Sequence, residues 1–573
     1  MDERLRNNQI YGMQATFDRL YADSKNGSNF YHLYEHVVSR ENILLAYETL
    51  QIHSSANTAG VDGKTISSLA SLTDDELFDV VTRRFQNYQP GWVVVKRVPT
   101  KTGRWVPTGT SNVEERLMEQ CLLQVLMPIT EAKLFKHNYG YRPCRSAIHA
   151  LSRVVSLVNV AKTYTCVDVS IDSFFDTADH GHLMRQLWAF GIRDKRILSI
   201  LGKLLRRPIV HQGIPARGIS GCGLLTGLFT NVYFNVFDQW VATQWERFPT
   251  ALSIHGFHRT AEARSDLKRG FLVRYGDEIR ILCPTYKDGV RFAHAVASEL
   301  QGHLKLSTTV NAINLKKQSV DFVGFNIKAI GKPRARYGFV ARTRITKPAM
   351  ERIDKLVKER IKQIQFHSYT PRYVLEYNAT VQGIKNYFQY ATDVYPDLDR
   401  LGMSVNRVIK NRLSECGRVE TCKEQGAGYR KRNTGIRPDT KVMVVCGIPL
   451  DIVNGVKHRS PMNFSQETTP YTKAGRERMG QSPVRVSDDH LKYLADTSAK
   501  TKGSPLFIQN RLTRYTEQAG VCAVLGVSFH PKDMVCHHVK MKKRNGGNRD
   551  DKASNLAWVQ RMSTCSSTRP MPT

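Results

Sequence analysis

The sequence predicts an α+β protein built from several domains. Its 573 residues are too many for one hydrophobic core, so three or four domains are expected. Segments with apolar residues at alternate positions predict strands and hairpins, and longer segments with apolar residues at helical spacing predict helices. Both kinds of segment occur in the first half of the chain, and helices resume from Lys347 to about Leu413.

The predicted elements follow a clear order along the chain. Residues 1 to about 60 are expected to be helical, and the alternating run from Gln89 to Thr108 predicts a hairpin. The segment EERLMEQCLLQVLMPITEAKLF predicts an amphipathic helix, and GLLTGLFTNVYFNVFDQWVATQW predicts a long buried one. The segments TYTCVDVSIDSFFD, FLVRYGDEIRILC and VDFVGFNIKA predict strands. Beyond Leu413 the polar and basic composition predicts a loosely structured region, and a separate small module begins near Ser504.

The charge of the chain predicts a polyanionic partner. Lys and Arg together number 84 against 51 Asp and Glu, which gives a formal net charge of +33 and a pI of about 9.8. A nucleic acid is favoured over a membrane surface. No apolar run reaches the roughly 18 to 20 residues that a spanning helix needs, and the basic residues are dispersed along the chain.

The N-terminus and the cysteines predict a reducing compartment. The start MDERLRNNQIYGM has no apolar secretory segment and carries acidic residues early, so neither a signal peptide nor a transit peptide is predicted. The 11 cysteines are scattered without a paired framework. A bacterial cytoplasm or an organellar matrix agrees with both observations.

Two carboxylates lie side by side at the predicted turn of FLVRYGDEIRILC. Asp277 and Glu278 separate the apolar runs 271–273 and 279–282. Carboxylates grouped at a hairpin tip usually hold metal ions, because hard divalent cations prefer oxygen ligands. The turn is therefore a candidate metal site.

Seven sequence blocks occur in an order that is typical of one protein family. They are NTAGVDGKTI, YGYRPCRSAIHAL, VDVSIDSFFDTADH, NVYFNVFDQW, RYGDEIRILC, FVGF and YNATVQGIKNYFQYAT. Together they resemble the group II intron-encoded reverse transcriptase/maturase family, particularly its bacterial members, over nearly the whole chain. The resemblance implies a right-hand polymerase fold, with a helical extension at 1–28, fingers and palm at 29–335, a helical thumb or maturase domain at 336–415, a basic DNA-binding region at 416–503 and a small HNH-like ββα module at 504–573.

The resemblance also implies that carboxylates from two strands hold the two Mg²⁺ ions of polymerisation. Asp277 matches the first Asp of the family's Tyr-Ala-Asp-Asp hairpin, and Glu278 replaces the second. The other obligatory carboxylate falls on Ser170, whose hydroxyl carries no charge to offset the cations. Asp168 and Asp172 share a strand face with Ser170, but each is displaced by about 6 to 7 Å along the strand. Either would need a bulge or a register shift to replace the missing carboxylate.

Two further parts of the implied polymerase centre are altered. The family's Lys and Arg that hold the incoming triphosphate are Thr100 and Val106 here, so two charge-assisted phosphate contacts are lost. The family's Pro-Gln-Gly-Gly turn is replaced by SGCG, which begins at Ser220 and Gly221. We therefore expect the polymerase centre to be inactive, with Mg²⁺ as a cofactor only if some polymerase activity survives.

The C-terminal module is altered in a similar way. The segment DMVCHHVKMKKRNGGNRDDKASNLAWVQ resembles an HNH nuclease, with His537, His538 and Asn555 at matching positions. The family's next His is Gln560 here, and a Cys-x-x-Cys pair is reduced to Cys522. A metal site that retains Cys522 and His538 would be incomplete. We expect a basic hairpin that touches nucleic acid without cutting it.

Candidate RNA contacts combine basic side chains with aromatic and amide groups. Basic groups suit phosphates, and aromatic and amide groups suit unpaired RNA bases. The candidates are Lys101, Arg104, Arg142, Arg145, Tyr377, Asn378, Asn386 and Tyr387. Tyr387 can equally belong to the core of the implied thumb.

The predicted function is that of a maturase-like protein that binds structured intron RNA and stabilises its splicing-active form. Two alternatives stay open. One is an active RNA-directed DNA polymerase in which Asp168 or Asp172 acts with Asp277 and Glu278. The other is a repurposed nucleic-acid-binding protein without catalysis. A DNA target and a homodimer also stay open, and no membrane partner is expected.

Overall fold

The protein combines helices with antiparallel sheets, as an α+β architecture requires. A computed structural model describes residues 3–52, 58–100, 104–247, 267, 269–335, 337–368, 370–481, 531–538 and 556–560, together with scattered positions between 490 and 523. Among the described helices, none combines the length and the apolar character that crossing a membrane requires.

The first part of the chain is a group of helices around one central helix. The helices are α1 (Glu3–Ile10), α2 (Gln14–Lys25), α3 (Tyr34–Val37), α4 (Arg40–Ile52), α5 (Asp74–Gln86) and the central α6 (Val113–Glu131). The sequence predicts α6 as amphipathic, but α6 is buried on almost every side because α2 and α4 pack against it. Its buried Glu119 accepts a hydrogen bond of 2.6 Å from Arg207. The hairpin predicted before α6 is formed by β1 (Val94–Pro99) and β2 (Trp105–Thr110).

A four-stranded antiparallel sheet forms the centre of the molecule. Its strands are β3 (Thr165–Ile171), β4 (Phe271–Tyr275), β5 (Glu278–Cys283) and β6 (Thr308–Asn314), in the order β4-β5-β3-β6. The helices around it are α7 (Ala147–Asn159), α8 (Phe174–Thr177), α9 (His180–Ala189), α10 (Lys195–Leu205), α11 (Thr226–Gln244) and α12 (Tyr286–Gly302). Because side chains alternate along a strand, Val167 and Val169 enter one core while Cys166 enters a second core shared with α7.

A second sheet and three helices follow the central sheet. The sheet contains β7 (Val320–Phe322), β8 (Phe325–Gly331) and β9 (Phe339–Ile345), and the helices are α13 (Lys347–Phe366), α14 (Pro371–Phe388) and α15 (Val394–Leu413). Pro348 and Pro371 lie in the first turns of α13 and α14, where a missing backbone N–H costs no hydrogen bond. The three helices pack on one another and share a core with the second sheet.

The region after α15 is folded as far as residue 481, in contrast to the loose structure that its composition predicts. It contains β10 (Gly417–Thr421), α16 (Gly426–Arg432), β11 (Lys441–Val445), β12 (Ile448–Pro449) and α17 (Lys473–Gln481). An extended segment between β12 and α17 packs back on the central domain, where Phe464 lies 4.5 Å from the guanidinium carbon of Arg145. Buried apolar and aromatic contacts therefore order a segment that is polar overall.

The last described part of the chain is a small hairpin. Strand β13 (Met534–His538) pairs antiparallel with β14 (Leu556–Gln560). A cluster of Leu494, Tyr515, Cys522, Met534 and Trp558 packs beside it. Asn555 lies outside the described residues.

Candidate functional site

The candidate site is the turn between β4 and β5, which forms where the sequence predicts it. Tyr275 pairs with Glu278, so the hairpin loop contains only Gly276 and Asp277. Gly276 has a φ of +65°, a conformation that glycine adopts without a steric penalty. A Cβ atom on the neighbouring Gly140 would lie 2.2 Å from the backbone nitrogen of Gly276. Close packing of the 137–140 segment therefore fixes the position of the turn.

The carboxylate of Asp277 is paired with a guanidinium. Arg104 directly precedes β2 in the β1–β2 hairpin. Its Nη1 donates a hydrogen bond of 3.0 Å to Asp277 Oδ1, and its Nη2 donates a second hydrogen bond to Asp277 Oδ2. The Asp277 side chain is 6 % exposed and that of Arg104 is 40 % exposed. Burial disfavours the charged form of Arg104, but the facing Asp277 outweighs it, and the net result is a raised pKa. A permanent cation therefore neutralises the carboxylate that the sequence identifies as the metal ligand.

The nearest carboxylate on the neighbouring strand is also paired with an arginine. Asp168 on β3 lies opposite Arg280 on β5, and Arg280 Nη1 is 2.9 Å from Asp168 Oδ1. Arg280 is held in place because it donates to the backbone oxygens of Ile279 at 2.7 Å and Asp321 at 2.5 Å. Asp168 is therefore paired with Arg280, whose guanidinium is held in place on the adjacent strand.

Ser170 and Asp172 lie at the end of β3. Ser170 is exposed, and it lies one residue beyond Val169, the last β3 residue that pairs with β5. Asp172 is held at the rim, since its Oδ2 accepts a hydrogen bond of 2.8 Å from the Ser307 hydroxyl. Its backbone N–H donates to the Ser307 oxygen at 3.0 Å. These contacts fix Asp172 in its present register. Asp172 would need a shifted register to take the place of Ser170.

The carboxylate of Glu278 is bound by a backbone N–H group outside the turn. Its Oε2 accepts a hydrogen bond of 2.9 Å from the backbone N–H of Val323, and its Oε1 lies 3.9 Å from Arg104 Nη1. Burial raises the pKa of Glu278, in spite of the nearby Arg280. The side chain is therefore a weaker source of negative charge than an exposed glutamate.

A third ion pair lies directly beneath the turn. Arg274 and Asp238 on α11 are both fully buried, and Arg274 Nε donates to Asp238 Oδ1 at 2.7 Å. Arg274 Nη1 also donates to the oxygen of Gly276 at 2.7 Å. Burial raises the pKa of Asp238, and the charge of Arg274 opposes that shift. This pair connects α11 to the backbone of the turn.

The residues predicted at the nucleotide site contact the protein itself. Thr100 donates from its backbone N–H and its hydroxyl to the oxygen of Arg104, at 2.7 and 2.9 Å, and its own oxygen accepts from Arg352 of α13. Val106 is half-buried against the core. The predicted turn at Ser220 and Gly221 lies close to β2. A Cβ atom added to Gly109 in β2 would lie 2.8 Å from the backbone oxygen of Ser220. Lys101 lies outside the described residues.

Four of the eight predicted RNA contacts have buried side chains, and this is a correction to the sequence analysis. Arg142 is 2 % exposed at its side chain and pairs with Glu131 at 2.7 Å, and the Arg145 side chain is 4 % exposed. Tyr377 is fully buried. The remaining three candidates on α14 differ. Asn378 is buried and donates to the Pro449 oxygen, Tyr387 is half-buried and donates to the Val323 oxygen, and Asn386 is exposed.

The predicted nuclease residues lie on or beside the C-terminal hairpin. His537 is exposed, and His538 stacks on Phe507 with ring centroids 5.2 Å apart. Cys522 is buried beside Trp558. Within the described part of the chain, no group of three or more His, Cys, Asp or Glu side chains is arranged to hold a metal ion.

Sequence reasoning missed the ion pairs that three arginines form around the turn. Arg274 and Arg280 stand in the apolar strands of FLVRYGDEIRILC, and a charged side chain in a buried strand needs a partner. That signal was present in the sequence. The pairing of Arg104 with Asp277 joins positions 173 residues apart, and no local pattern indicates it.

Comparisons with known proteins place the chain in a family context. No family model matches the chain. It is 25 % identical over 303 residues to protein YkfC of Escherichia coli, which covers 49 % of this chain and 78 % of the relative. It is 21 % identical over 420 residues to the putative COX1/OXI3 intron 2 protein of Saccharomyces cerevisiae, which covers 61 % of this chain and 48 % of the relative.

One further relative spans nearly the full length of both proteins. The group II intron-encoded protein LtrA of Lactococcus lactis subsp. cremoris is 21 % identical over 616 aligned positions, which cover 93 % of this chain and 95 % of LtrA. Intron-encoded proteins from two yeasts also match. The chain is therefore a distant homologue of the group II intron-encoded proteins.

Proposed function

We propose that the protein is a maturase-like RNA-binding protein that holds a structured intron RNA in its splicing-active form without polymerising DNA. The observation that carries this proposal is the pairing of Arg104 with Asp277, which places a guanidinium fork on the carboxylate that would bind metal. The net charge of +33 and the relationship to group II intron-encoded proteins support RNA as the partner.

Mg²⁺ does not fit the side chains at this turn. Two divalent ions need several negative charges, yet Asp277 is neutralised by Arg104 and Asp168 is neutralised by Arg280. Ser170 adds no charge, and the pKa of Glu278 is raised by burial. A metal ion would have to displace a bidentate arginine and would gain little negative charge in return.

The parts of the fold can be related to the domains that the family resemblance implies. In this proposal the central sheet corresponds to a palm, the β1–β2 hairpin to fingers, and α13 to α15 to a thumb. The segment after α15 would be a basic region that contacts nucleic acid, and β13 and β14 would belong to an inactive HNH-like module. We expect the protein to act where the intron RNA is made, in a bacterial cytoplasm or an organellar matrix.

Stabilisation of RNA follows from mass action and needs no protein carboxylates. A protein that binds the folded intron more tightly than its misfolded forms shifts the population toward the folded form. The ribozyme then supplies the chemistry of splicing. Basic side chains provide affinity by releasing counterions from the phosphates, so affinity should fall steeply with salt.

The test has two arms that use the full-length protein. In the first, RNA crosslinked to the protein in cells is sequenced, and splicing of the recovered intron is measured with and without added protein. We expect one or a few intron RNAs to be enriched and their splicing to increase. Enrichment of RNAs unrelated to introns, with no effect on splicing, would reject the proposal in favour of a repurposed nucleic-acid-binding protein.

The second arm measures primer extension on an RNA template, with an active reverse transcriptase as the positive control. We expect no extension by the wild type, and none by Ser170→Asp, because Arg104 still covers Asp277 and because Thr100 and Val106 cannot hold the triphosphate. Robust extension by the wild type would show that the polymerase centre is active and would reject that part of the proposal.

A further inference from the structure

Helices α9 and α10 form a basic groove on the surface. Residues 180–207 contain seven Lys and Arg and one acidic residue, a formal charge of 7 − 1 = +6. One of the seven, Arg207, is buried against Glu119. Of the other six, Arg193 is partly buried and five are exposed: Arg185, Lys195, Arg196, Lys203 and Arg206. Within the described residues, none of these six forms an ion pair with a carboxylate. Lys203 Nζ donates to the Tyr88 oxygen at 2.9 Å and Arg193 Nε to Asn29 Oδ1 at 3.2 Å, but neither partner neutralises the charge.

The single acidic residue of this segment does not offset the charge. Asp194 caps the start of α10, where its Oδ1 accepts from the backbone N–H groups of Arg196 and Ile197 at 2.9 and 3.2 Å. Its Oδ2 accepts from the N–H groups of Leu33 and Tyr34 at 2.8 and 2.9 Å. Asp194 is 4 % exposed, and both of its carboxylate oxygens accept hydrogen bonds. Within residues 180–207 the exposed charged side chains are therefore all basic.

The groove combines a row of basic side chains with a cavity beside them. Arg196, Ser199 and Lys203 lie on one exposed stripe of α10, and Arg206, the residue that follows the helix, continues it. The three cations span about 15 Å along the helix axis. Opposite this stripe, His180, Gly181 and Met184 of α9 complete a cavity of about 340 Å³. Gly202 lines it without a side chain, which leaves room beside the basic side chains.

Aromatic rings lie at the end of the groove where α9 meets α10. The Trp188 ring is 47 % exposed, and the guanidinium carbon of Arg193 lies 3.9 Å from its centroid. The guanidinium carbon of Arg196 lies 4.8 Å from the centroid of Tyr34. Exposed Tyr31 lies nearby, because the backbone of Phe30 bonds to Gly191 and Arg193. Such paired aromatic and guanidinium planes are platforms on which unpaired bases stack.

We propose that the α9–α10 groove binds a single-stranded segment of RNA, with its phosphates along Arg196, Lys203 and Arg206 and a base stacked on Trp188. This inference rests on the proposed function, and it adds a location and a type of RNA. A single strand is favoured over a duplex because a duplex keeps its bases stacked internally and offers none to Trp188. The groove lies apart from the β4–β5 turn, so it does not depend on metal binding there.

The first experiment measures binding of a short unstructured RNA to the full-length protein over a range of salt concentrations. The groove variant is Arg196→Glu/Lys203→Glu/Arg206→Glu, and the matched control is Lys287→Glu/Arg291→Glu/Lys317→Glu, which changes three exposed cations elsewhere. We expect the slope of log K against log salt to fall by about 2 in the groove variant, since each lost phosphate contact removes roughly 0.7. The control should retain most of the slope. Equal slopes in the two variants would overturn the assignment.

The second experiment replaces the stacking platform. We expect Trp188→Ala to weaken binding of the single-stranded RNA about 5- to 150-fold without changing the salt slope, and to leave binding of an RNA duplex unchanged. Tyr286→Ala, which removes an equally exposed ring on α12, is the control. Equal loss for the duplex, or equal affinity for single-stranded DNA of the same sequence, would overturn the assignment to single-stranded RNA.

The same variants separate this inference from the proposed function. If the groove variants bind the intron RNA recovered from cells as tightly as the wild type does, the groove assignment is wrong and the maturase-like function stands. If no intron RNA is recovered but the groove variants lose binding to short single strands, the groove assignment stands and the maturase-like function is wrong.

Discussion

Two arginine–carboxylate pairs lie on opposite sides of the same turn, and they differ in burial. Beneath the turn, Arg274 and Asp238 are both fully buried, and above it Asp277 is buried while Arg104 is 40 % exposed. The buried pair also bonds the Gly276 oxygen, so it determines where the turn lies. The upper pair involves Asp277, the carboxylate predicted to bind metal. The comparison shows that a site can keep its geometry while its charge is cancelled.

The largest effect is expected when the buried pair is broken. Arg274→Met leaves Asp238 charged and without a partner in the core, and removal of one member of a buried pair costs about 3–5 kcal/mol. Chemical denaturation should show that loss in the free energy of unfolding. Arg291→Met, on the exposed face of α12, is the control and should change little. A loss below about 1 kcal/mol in Arg274→Met would mean that the pair does not support the turn.

A smaller effect is expected when the packing around the turn is disturbed. The Cβ atom of Gly140→Ala would lie 2.2 Å from the Gly276 nitrogen, and because that neighbour is backbone, the turn itself must shift. Overpacking of this kind costs about 1–3 kcal/mol. Gly331→Ala is the matched control, because no atom lies within 4 Å of its added Cβ. Equal stability of the two variants would show that the turn tolerates displacement.

The segment beside the turn also predicts a dependence on pH. His137 accepts a backbone hydrogen bond from Arg274, and burial, reinforced by Arg153, lowers the pKa of His137 to about 2. Glu246 does not reverse this shift, since Arg153 pairs with it at 2.8 Å. The unfolded chain takes up a proton on His137 near pH 6.5, whereas the folded protein does not. The free energy of unfolding should therefore fall as the pH decreases below about 6.5.

The contribution of His137 is measurable by substitution. Between pH 6 and pH 5 the wild type should lose about 1 kcal/mol through this group, because one proton corresponds to about 1.4 kcal/mol per pH unit. His137→Gln should lose less over the same interval, and His294→Gln, on the exposed face of α12, should behave as the wild type does. Parallel pH curves for His137→Gln and the wild type would contradict this explanation.

The sequence predicted the parts of this region that depend on local patterns. The β4–β5 hairpin and its turn formed as expected, because two short apolar runs on either side of a glycine in a two-residue loop determine such a structure locally. Ser170 lies at the end of β3, at the rim of the same sheet. The sequence did not predict that Arg142 is buried, because its partner Glu131 lies on α6 and only the tertiary fold brings them together. Pairings between distant segments depend on strand order and packing, which local patterns do not determine.

The smallest change in stability is expected at the upper pair. The same variants test which of two features, the Arg104 guanidinium or Ser170, would prevent metal binding. Arg104→Ala should lower the free energy of unfolding by about 1 kcal/mol or less, since the guanidinium is 40 % exposed and solvent screens the pair. Binding of Mn²⁺, followed by its electron paramagnetic resonance signal, separates the two defects. We expect no site in Arg104→Ala or in Ser170→Asp alone, and a weak site in the double variant, because only that variant has two uncovered carboxylates at the end of the sheet. A site in Arg104→Ala alone would mean that the guanidinium is the main obstacle to metal. A site in Ser170→Asp alone would mean that Arg104 leaves Asp277 readily and that the missing carboxylate is decisive.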